Sequence, residues 1–598
     1  MRKSLVAWVA AAGLAGCAGD SPPPASPITA PPKRIVLVTI DTWRSDALGE
    51  SGSGRVKTPH LDRFAREGTY YPKAWSSATL TAPSHATILT GLQPYHHGVR
   101  DNHGFRLATP VPTLAAALLE KGYATAAFVS AHPLARIGGL DRGFSTYDDR
   151  CAPGDPLSVA PRWRPGAETI DAASAWIRGA PERFFLWVHL YEPHDPYAPP
   201  DPYRSEYRAA PYFGEVAYTD ELIGRLEAAL GAAGKNDALW VITGDHGEAL
   251  DDHGEATHGL FVYDATARVP LILWAPGRVP AGKREFARLV DVAPTILAIA
   301  GAASPAELDG KPLLAADTRH DGRTAYVETL YAHLNFGAAS VRAASDGRIK
   351  VVDVPQPEVY DLSEDPEESR NLAGGASPPA AQALGKALAE LPGTQSDPQQ
   401  PANDEEIEAL RSLGYIGAGG DYALGREGLD PKSFAPLYRK LNAVHQLSAA
   451  RRWSEAIPVY KELLAAFPRS SVLASELGLI EMAIGRAAEA EAHLQTALDR
   501  DPENSHALLG MANLAIGRKD LGAAETRLHE VLRLDPDDVE ANFDLGLLYL
   551  QSLNRPVQAI PYLRRFIELQ PGDSEAPRIR QILAGIDAAP SKANRPGS

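Results

Sequence analysis

Three short stretches of this chain hold residue types that, brought together, can activate a hydroxyl and stabilise an anionic ester. Asp41 closes an apolar run. Thr81-Ala82-Pro83-Ser84-His85 opens a helical stretch that ends at Thr90-Gly91, and Asp245-His246-Gly247-Glu248 follows a second apolar run. A hydroxyl at a helix N-terminus faces free N–H groups and the positive end of the helix dipole, and both favour a bound anion. Carboxylates and an imidazole beside it are able to ligate a divalent cation. Coordination lowers the pKa of a hydroxyl, so a threonine becomes an alkoxide-like nucleophile at neutral pH, and the same cation stabilises charge on the transferring oxygens. Singly, each of these fragments is common; only their convergence would make a site.

Convergence requires elements that bring distant residues to one place. Arg34-Ile35-Val36-Leu37-Val38-Thr39-Ile40 is a short, β-branched run ending in a polar cluster, the pattern of a buried parallel strand. Residues 184–190 (FFLWVHL) and 238–243 (ALWVIT) repeat it. Between them, Val111 to Lys121 and Ala217 to Ala233 carry apolar residues at three- and four-residue spacing, which predicts helices. Strands alternating with helices predict an α/β domain with a mostly parallel sheet sandwiched by helices, whose ligands bind beyond the carboxyl ends of the strands. Asp41 and Asp245 stand immediately after two such strands.

At 598 residues the chain exceeds a single core and predicts two to four domains. An apolar content of 44 % and a charged content of 22 % are those of a globular protein. The net charge of −16 argues against a nucleic-acid partner, which needs a basic face, but leaves room for a small anionic substrate met locally by a metal.

Residues 1–17 read as a signal segment. Arg2 and Lys3 precede an apolar stretch, Leu5 to Gly16, too short to span a bilayer. Leu14-Ala15-Gly16-Cys17 resembles the bacterial lipoprotein signal, which implies lipidation of Cys17 and anchoring in the cell envelope; Ala18 in the next position points to the outer membrane. Pro-, Ser- and Ala-rich residues 18–33 form an extended tether. The other cysteine, Cys151, then has no disulfide partner.

The catalytic body is expected over 34–375, with a loop-rich connector over 376–430. Beyond it Pro468, Pro502, Pro536 and Pro571 recur at 34, 34 and 35 residues, as do Ala456, Ala490, Ala524 and Ala559. Leu477-Gly478 and Leu545-Gly546 share one phase of the period. This pattern resembles the tetratricopeptide repeat, an all-α solenoid, over 431–587 with a tail over 588–598, one residue being inserted near Ser552 to Arg555. Its concave face implies a protein or peptide partner.

The landmarks of the first body, in order, resemble the alkaline phosphatase–sulfatase superfamily: TAPSHATILTG (81–91), PHDPY (193–197), TGDHGE (243–248), VPLIL (269–273), LVDVAPTILAIAG (289–301) and VYDLSEDPEESRNLA (359–373). The departures are informative. Thr81 stands where sulfatases carry the Cys or Ser that becomes formylglycine, so no formylglycine is expected. His85 replaces the signature arginine, Ser130 a lysine, and Thr42 a second early acid, while His132 is retained.

A threonine here resembles the phosphodiesterase and nucleotide pyrophosphatase branches, and Asp-Thr-Trp-Arg-Ser-Asp (41–46) resembles the phosphonate monoester hydrolases. The resemblance implies one divalent ion, ligated by Asp41, Thr81, Asp245 and His246. That mixed donor set admits Zn, Mn, Mg or Ca. A second ion would draw on Glu192, His194 and His258. His194 and His258 are candidate acids for the leaving group, and Asn102, His85 and His132 candidate substrate contacts; Asp46 and Glu248 are expected to orient loops. The implied activity is phosphoester cleavage through a covalent Thr81 intermediate. The rivals are a sulfatase without formylglycine and a catalytically idle adaptor lipoprotein.

Overall fold

The computed structural model describes residues 30–588 except 103–104, 151–162, 305–306, 314–321, 392–428 and the short gaps 337, 376–377, 469, 535, 537 and 571–572. Cys17 with the signal segment, most of the tether, Cys151, most of the connector, Pro571 and the tail lie outside the described residues.

The main sheet has eight strands: β1 (Arg34–Ile40), β2 (Thr69–Trp75), β3 (Ala124–Phe128), β4 (Thr146–Asp148), β5 (Phe184–Leu190), β6 (Ala238–Gly244), β7 (Arg268–Trp274) and β8 (Gly282–Lys283). Their order is β4-β3-β5-β1-β6-β7-β2-β8. The block from β4 to β6 is parallel, and β7 runs antiparallel to both of its neighbours. The three strands read from sequence are therefore adjacent at the centre of the sheet.

Alternate residues of these strands feed two cores. Ile35, Leu37, Phe185, Trp187, Leu239 and Val241 pack under the helices Thr81–Thr90, Leu114–Glu120 and Val292–Ala300. Val36, Val38, Leu186, Val188, Trp240 and Ile242 pack under Pro59–Glu67, Gly166–Gly179 and Pro211–Ala232. Side chains of a strand alternate between faces, so burial on both sides demands an unbroken apolar run. The helix expected at 111–121 is Leu114–Glu120, capped by the Thr113 hydroxyl on the Ala116 amide. The helix expected from Ala217 begins earlier, at Pro211, where a missing N–H costs nothing at the first helical position.

A second sheet follows, antiparallel, made of β9 (Ala325–Thr329), β10 (Val341–Ser345), β11 (Ile349–Asp353) and β12 (Glu358–Asp361) in reverse chain order. The helix Pro379–Glu390, which sequence leaves in the connector, packs on it through Ala381, Leu384 and Leu388. Those residues thus belong to the first body.

The repeats run as antiparallel helices from Pro431–Ala449 to Ala576–Ala588. Ala456, Ala490, Ala524 and Ala559 are fully buried. A Cβ on Gly478 would meet Leu494 Cγ at 2.7 Å, and one on Gly546 would meet Leu563 Cδ2 at 2.5 Å, so the period-bearing glycines allow close helix approach. The inserted residue is absorbed by a π-helical turn over Leu548–Ser552. The array docks on the second sheet: Phe434, Tyr438 and Leu441 share one core with Val327, Val341, Val352 and Leu260–Val262. Among the described residues no helix is long and apolar enough to cross a membrane.

Candidate metal centre and active site

Parallel register sets the two acids side by side. Ile40 of β1 pairs with Leu190 of β5 on one side and Gly244 of β6 on the other. One residue further, Asp41 N donates to Leu190 O at 3.0 Å and Asp245 N to Ile40 O at 3.3 Å, which fixes both backbones as they leave the sheet. Asp41, Asp245 and His246 are all fully buried.

The donor set fits a divalent cation. Asp245 Oδ1 accepts from the amides of Thr42 (3.2 Å) and His246 (2.7 Å), while Oδ2 has no hydrogen-bond partner. Both carboxylate oxygens of Asp41 are likewise without one. His246 Nδ1 donates to Gly247 O at 3.0 Å, so the neutral ring keeps its lone pair on the partnerless Nε2. Nε2 lies 3.6 Å from Asp41 Oδ1 and 3.5 Å from Asp245 Oδ2. Ligand atoms about 2.1 Å from a tetrahedral ion are about 3.4 Å apart, so the spacing suits a shared cation. Burial raises both carboxyls above their ordinary range, Asp245 further through Asp41, and the two acids lift His246. An unpaired buried carboxylate costs several kcal/mol, which a bound cation removes.

A second grouping, His85 with His189 and Asp245, is equally close-set but chemically different. His85 Nδ1 meets the Thr81 carbonyl at 2.8 Å, and a carbonyl only accepts, so that nitrogen carries the proton. Nε2 is taken by Thr39 Oγ1 at 2.9 Å. His189 Nδ1 receives the Ser130 amide at 3.4 Å, which leaves the proton on Nε2, 3.5 Å from Asp41 Oδ2. Burial lowers His85 to about 3 and His189 to about 4, so both rings are neutral; His85 has both nitrogens committed, and His189 turns its N–H toward Asp41 without a hydrogen bond. His85, expected as a substrate contact, is fully buried with its two ring nitrogens taken by Thr81 O and Thr39 Oγ1.

The Thr81 helix is tied to the centre one turn in. Thr81 is its first residue, and positions three and four further on share its face. Ser84 Oγ donates to Asp245 O at 2.6 Å, and His85 Nδ1 stands 3.5 Å from Asp245 Oδ2. The Thr-x-x-Ser-His spacing therefore ties the start of the Thr81 helix to the Asp245 loop. Asn102 Oδ1 accepts the Ala82 amide at 2.8 Å, one of the free N–H groups of the helix start.

His258 and His194 lie beside the centre. His258 Nδ1 donates to Glu248 Oε1 at 3.0 Å, and Glu248 Oε2 accepts from Tyr197 at 2.9 Å. Burial pushes Glu248 up to about 7, and burial with His246 holds His258 well below its usual value. The His258 ring lies 4.5 Å from His246 and 5.1 Å from His194, which stacks on Tyr191 at 4.3 Å. His194 Nδ1 donates to Asp195 O at 2.7 Å. Glu192 instead accepts the Gly166 amide at 2.9 Å, and His132 is half-buried on the turn His132–Leu134. Among the described residues no ion-holding grouping includes Glu192, His194 or His258.

Arg44, unassigned from sequence, binds Asp46, Asp252 and the carbonyls of Glu248 and Ala249, joining the first acid's loop to the second's. Asp46 orients Arg44, and Glu248 orients His258. His189 also went unread. Its signal was a polar residue near the end of an apolar strand, in register with Thr39.

Residues 33–302 match the sulfatase family model, and residues 256–391 the model described as N-sulphoglucosamine sulphohydrolase, C-terminal. Residues 447–514 and 481–541 match a tetratricopeptide repeat model. An arylsulfatase of Clostridium perfringens is 24 % identical over 439 residues, spanning 56 % of this chain and 89 % of that protein. A multifunctional alkaline phosphatase superfamily protein of Trinickia caryophylli is 24 % identical over 471 residues, spanning 57 % and 91 %. Two solved structures share the fold. One, in complex with its substrate D-glucosamine-2-N,6-O-disulfate, has TM-score 0.51 and 21 % identity, covering 60 % of this chain and 97 % of that one. The phosphonate monoester hydrolase of Agrobacterium radiobacter has TM-score 0.50 and 24 % identity, covering 60 % and 94 %.

Proposed function

Given a sulfatase-family hydrolase domain of the alkaline phosphatase-like superfamily joined to tetratricopeptide repeats, we propose that this protein cleaves small anionic phosphoesters, phosphodiesters or phosphonate monoesters, through a covalent intermediate on Thr81. The observation that carries the reading is the set of partnerless ligand atoms on Asp41, Asp245 and His246, clamped to the start of the Thr81 helix by Ser84 and His85. A divalent cation held by these three with Thr81 would acidify the hydroxyl and offset charge on the transferring oxygens.

The chain's own groups supply the rest. Thr81 Oγ bonds to phosphorus as the ester oxygen departs. The hydroxyl proton passes to a neutral imidazole, His258 or His194, which returns it to the leaving alkoxide. Water then displaces Thr81 by the same exchange in reverse. Asn102, with its carbonyl committed to Ala82, offers its amide N–H groups to a non-bridging oxygen. The flanking guanidinium groups, Arg44 and Arg164, are bound to Asp46, Asp252 and Asp148, which favours a monoanionic ester over a dianionic one.

Sulfuric esters are the rival, supported by the sulfatases among the relatives. The reading includes anchorage in the bacterial envelope through lipidated Cys17, with a peptide or protein partner on the repeats. Metal analysis of the purified protein, with a panel of aryl sulfate, phosphate monoester and phosphodiester, tests it. Phosphodiester turnover lost in Thr81→Ala supports the mechanism; dominant sulfatase activity surviving in that variant overturns it.

A further inference from the structure

His258 stands on an irregular segment held both from within the hydrolase domain and from the repeats. Residues 255–262 form no strand or helix; inside the domain they are held by Ala249 N to Thr257 O at 2.7 Å and by Glu255 Oε1, which accepts the Leu260 amide at 2.5 Å. Thr329 Oγ1 donates to Gly259 O at 2.5 Å and Thr266 Oγ1 to Phe261 O at 3.3 Å, and a further set of contacts comes from the first repeat helix, Pro431–Ala449, some 180 residues further along the chain. Tyr438 Oη donates to His258 O at 2.7 Å and lies 3.3 Å from Thr257 Oγ1. Asn442 Nδ2, one turn on, donates to Thr257 Oγ1 at 3.4 Å. Arg439 Nε donates to Gly254 O at 3.0 Å.

The direction of this chain is forced. An amide nitrogen only donates and a carbonyl only accepts, so the protons run from Asn442 to Thr257, to Tyr438, to the His258 carbonyl. Tyr438 is 5 % exposed, and its ring lies edge-on to Tyr331 at 5.9 Å. One residue, His258, thus separates the repeat helix from Glu248 and His246.

We propose that Tyr438 is a positioning residue of the active site: through Thr257 and the His258 carbonyl, the first repeat helix sets the depth of the His258 ring, so repeats and hydrolase form one working unit. The Tyr438 ring packs with Phe434, Leu441 and Val444 in the shared core, and it is the hydroxyl that reaches the His258 segment. The proposal rests on the reading of His258 as a proton carrier. A carrier set too shallow or too deep loses proton transfer to a basic leaving group, and loses little when the leaving group departs unprotonated.

The test uses the full-length, metal-loaded protein and two diesters, one releasing 4-nitrophenolate and one releasing an unactivated alcohol. Tyr438→Phe is expected to lower kcat on the second ester about fivefold, the rate equivalent of one lost hydrogen bond, with KM and metal content unchanged. The nitrophenyl ester should lose less than about half of that factor, and amide exchange over 254–259 should rise. Asn442→Ala should act in the same direction. Equal losses on both esters, or unchanged rates with unchanged exchange, overturn the proposal. His258→Gln separates the two ideas. If it leaves the leaving-group dependence intact, the proton-carrier reading falls; if it changes that dependence while Tyr438→Phe does not, only the brace falls.

Discussion

The centre at the strand ends and the repeat array treat buried polar groups in opposite ways. At the centre, both oxygens of Asp41, Oδ2 of Asp245 and Nε2 of His246 and His189 converge without hydrogen-bond partners. In the repeats, the buried Glu481 is paired with Lys461 and His493, and the buried face is Ala, Leu and Gly at a fixed period. Native interiors rarely leave polar atoms unsatisfied. A cluster of them marks a place where the fold holds groups ready for something absent from the chain, whereas a periodic apolar face is satisfied by its own neighbours.

This contrast breaks in a stated order. Asp245→Asn should abolish metal binding and lower turnover by about a thousandfold or more, read by metal content and initial rates. The metal-free variant should melt higher than the metal-free parent, because a buried carboxylate that repels Asp41 is gone. His189→Leu removes the donor facing Asp41 Oδ2; metal affinity should fall about tenfold by titration calorimetry, with helical content unchanged. Gly478→Val should do the reverse. Its side chain runs into Leu494, costing about 1–3 kcal/mol of repeat stability in urea, while metal content stays at parent level.

The smallest expected effect concerns pH. Burial and the neighbouring Asp538 raise the Asp544 carboxyl to about 6. The folded repeats hold that proton more tightly than the unfolded chain, whose ordinary value is about 4. Their stability should therefore be fullest below about pH 4 and decline as pH rises through about 6. Asp544→Asn should flatten that decline, seen as the difference between variant and parent unfolding curves across the window.

Much of the fold was legible. β1, β5 and β6 show as unbroken apolar runs because burial on both faces permits no polar alternation, and the repeats show because each unit must present the same Ala and Gly to its neighbour. The helix Pro379–Glu390 was not assigned to the first body, because its amphipathic stretch lies among Gly- and Pro-rich segments and nothing local says which sheet it covers. The partners of His85 were illegible for a related reason. Its place in a motif suggested a substrate contact, but which way a helical side chain points depends on what the sheet below it offers, here Thr39.

By itself the sequence determined the residue types of the centre, the strands that end beside it, the threonine in place of a formylglycine precursor, and the 34-residue period. Those are properties of composition and spacing. Only the tertiary structure decided which nitrogen of each histidine carries its proton, and so which imidazoles have a lone pair free for a cation and which do not. A tautomer is set by the group across the hydrogen bond, and those groups, Gly247 O, Thr81 O, the Ser130 amide and Glu248, meet their rings only once the chain is folded. The same holds for Tyr438, far from His258 in sequence and one hydrogen bond from it in space.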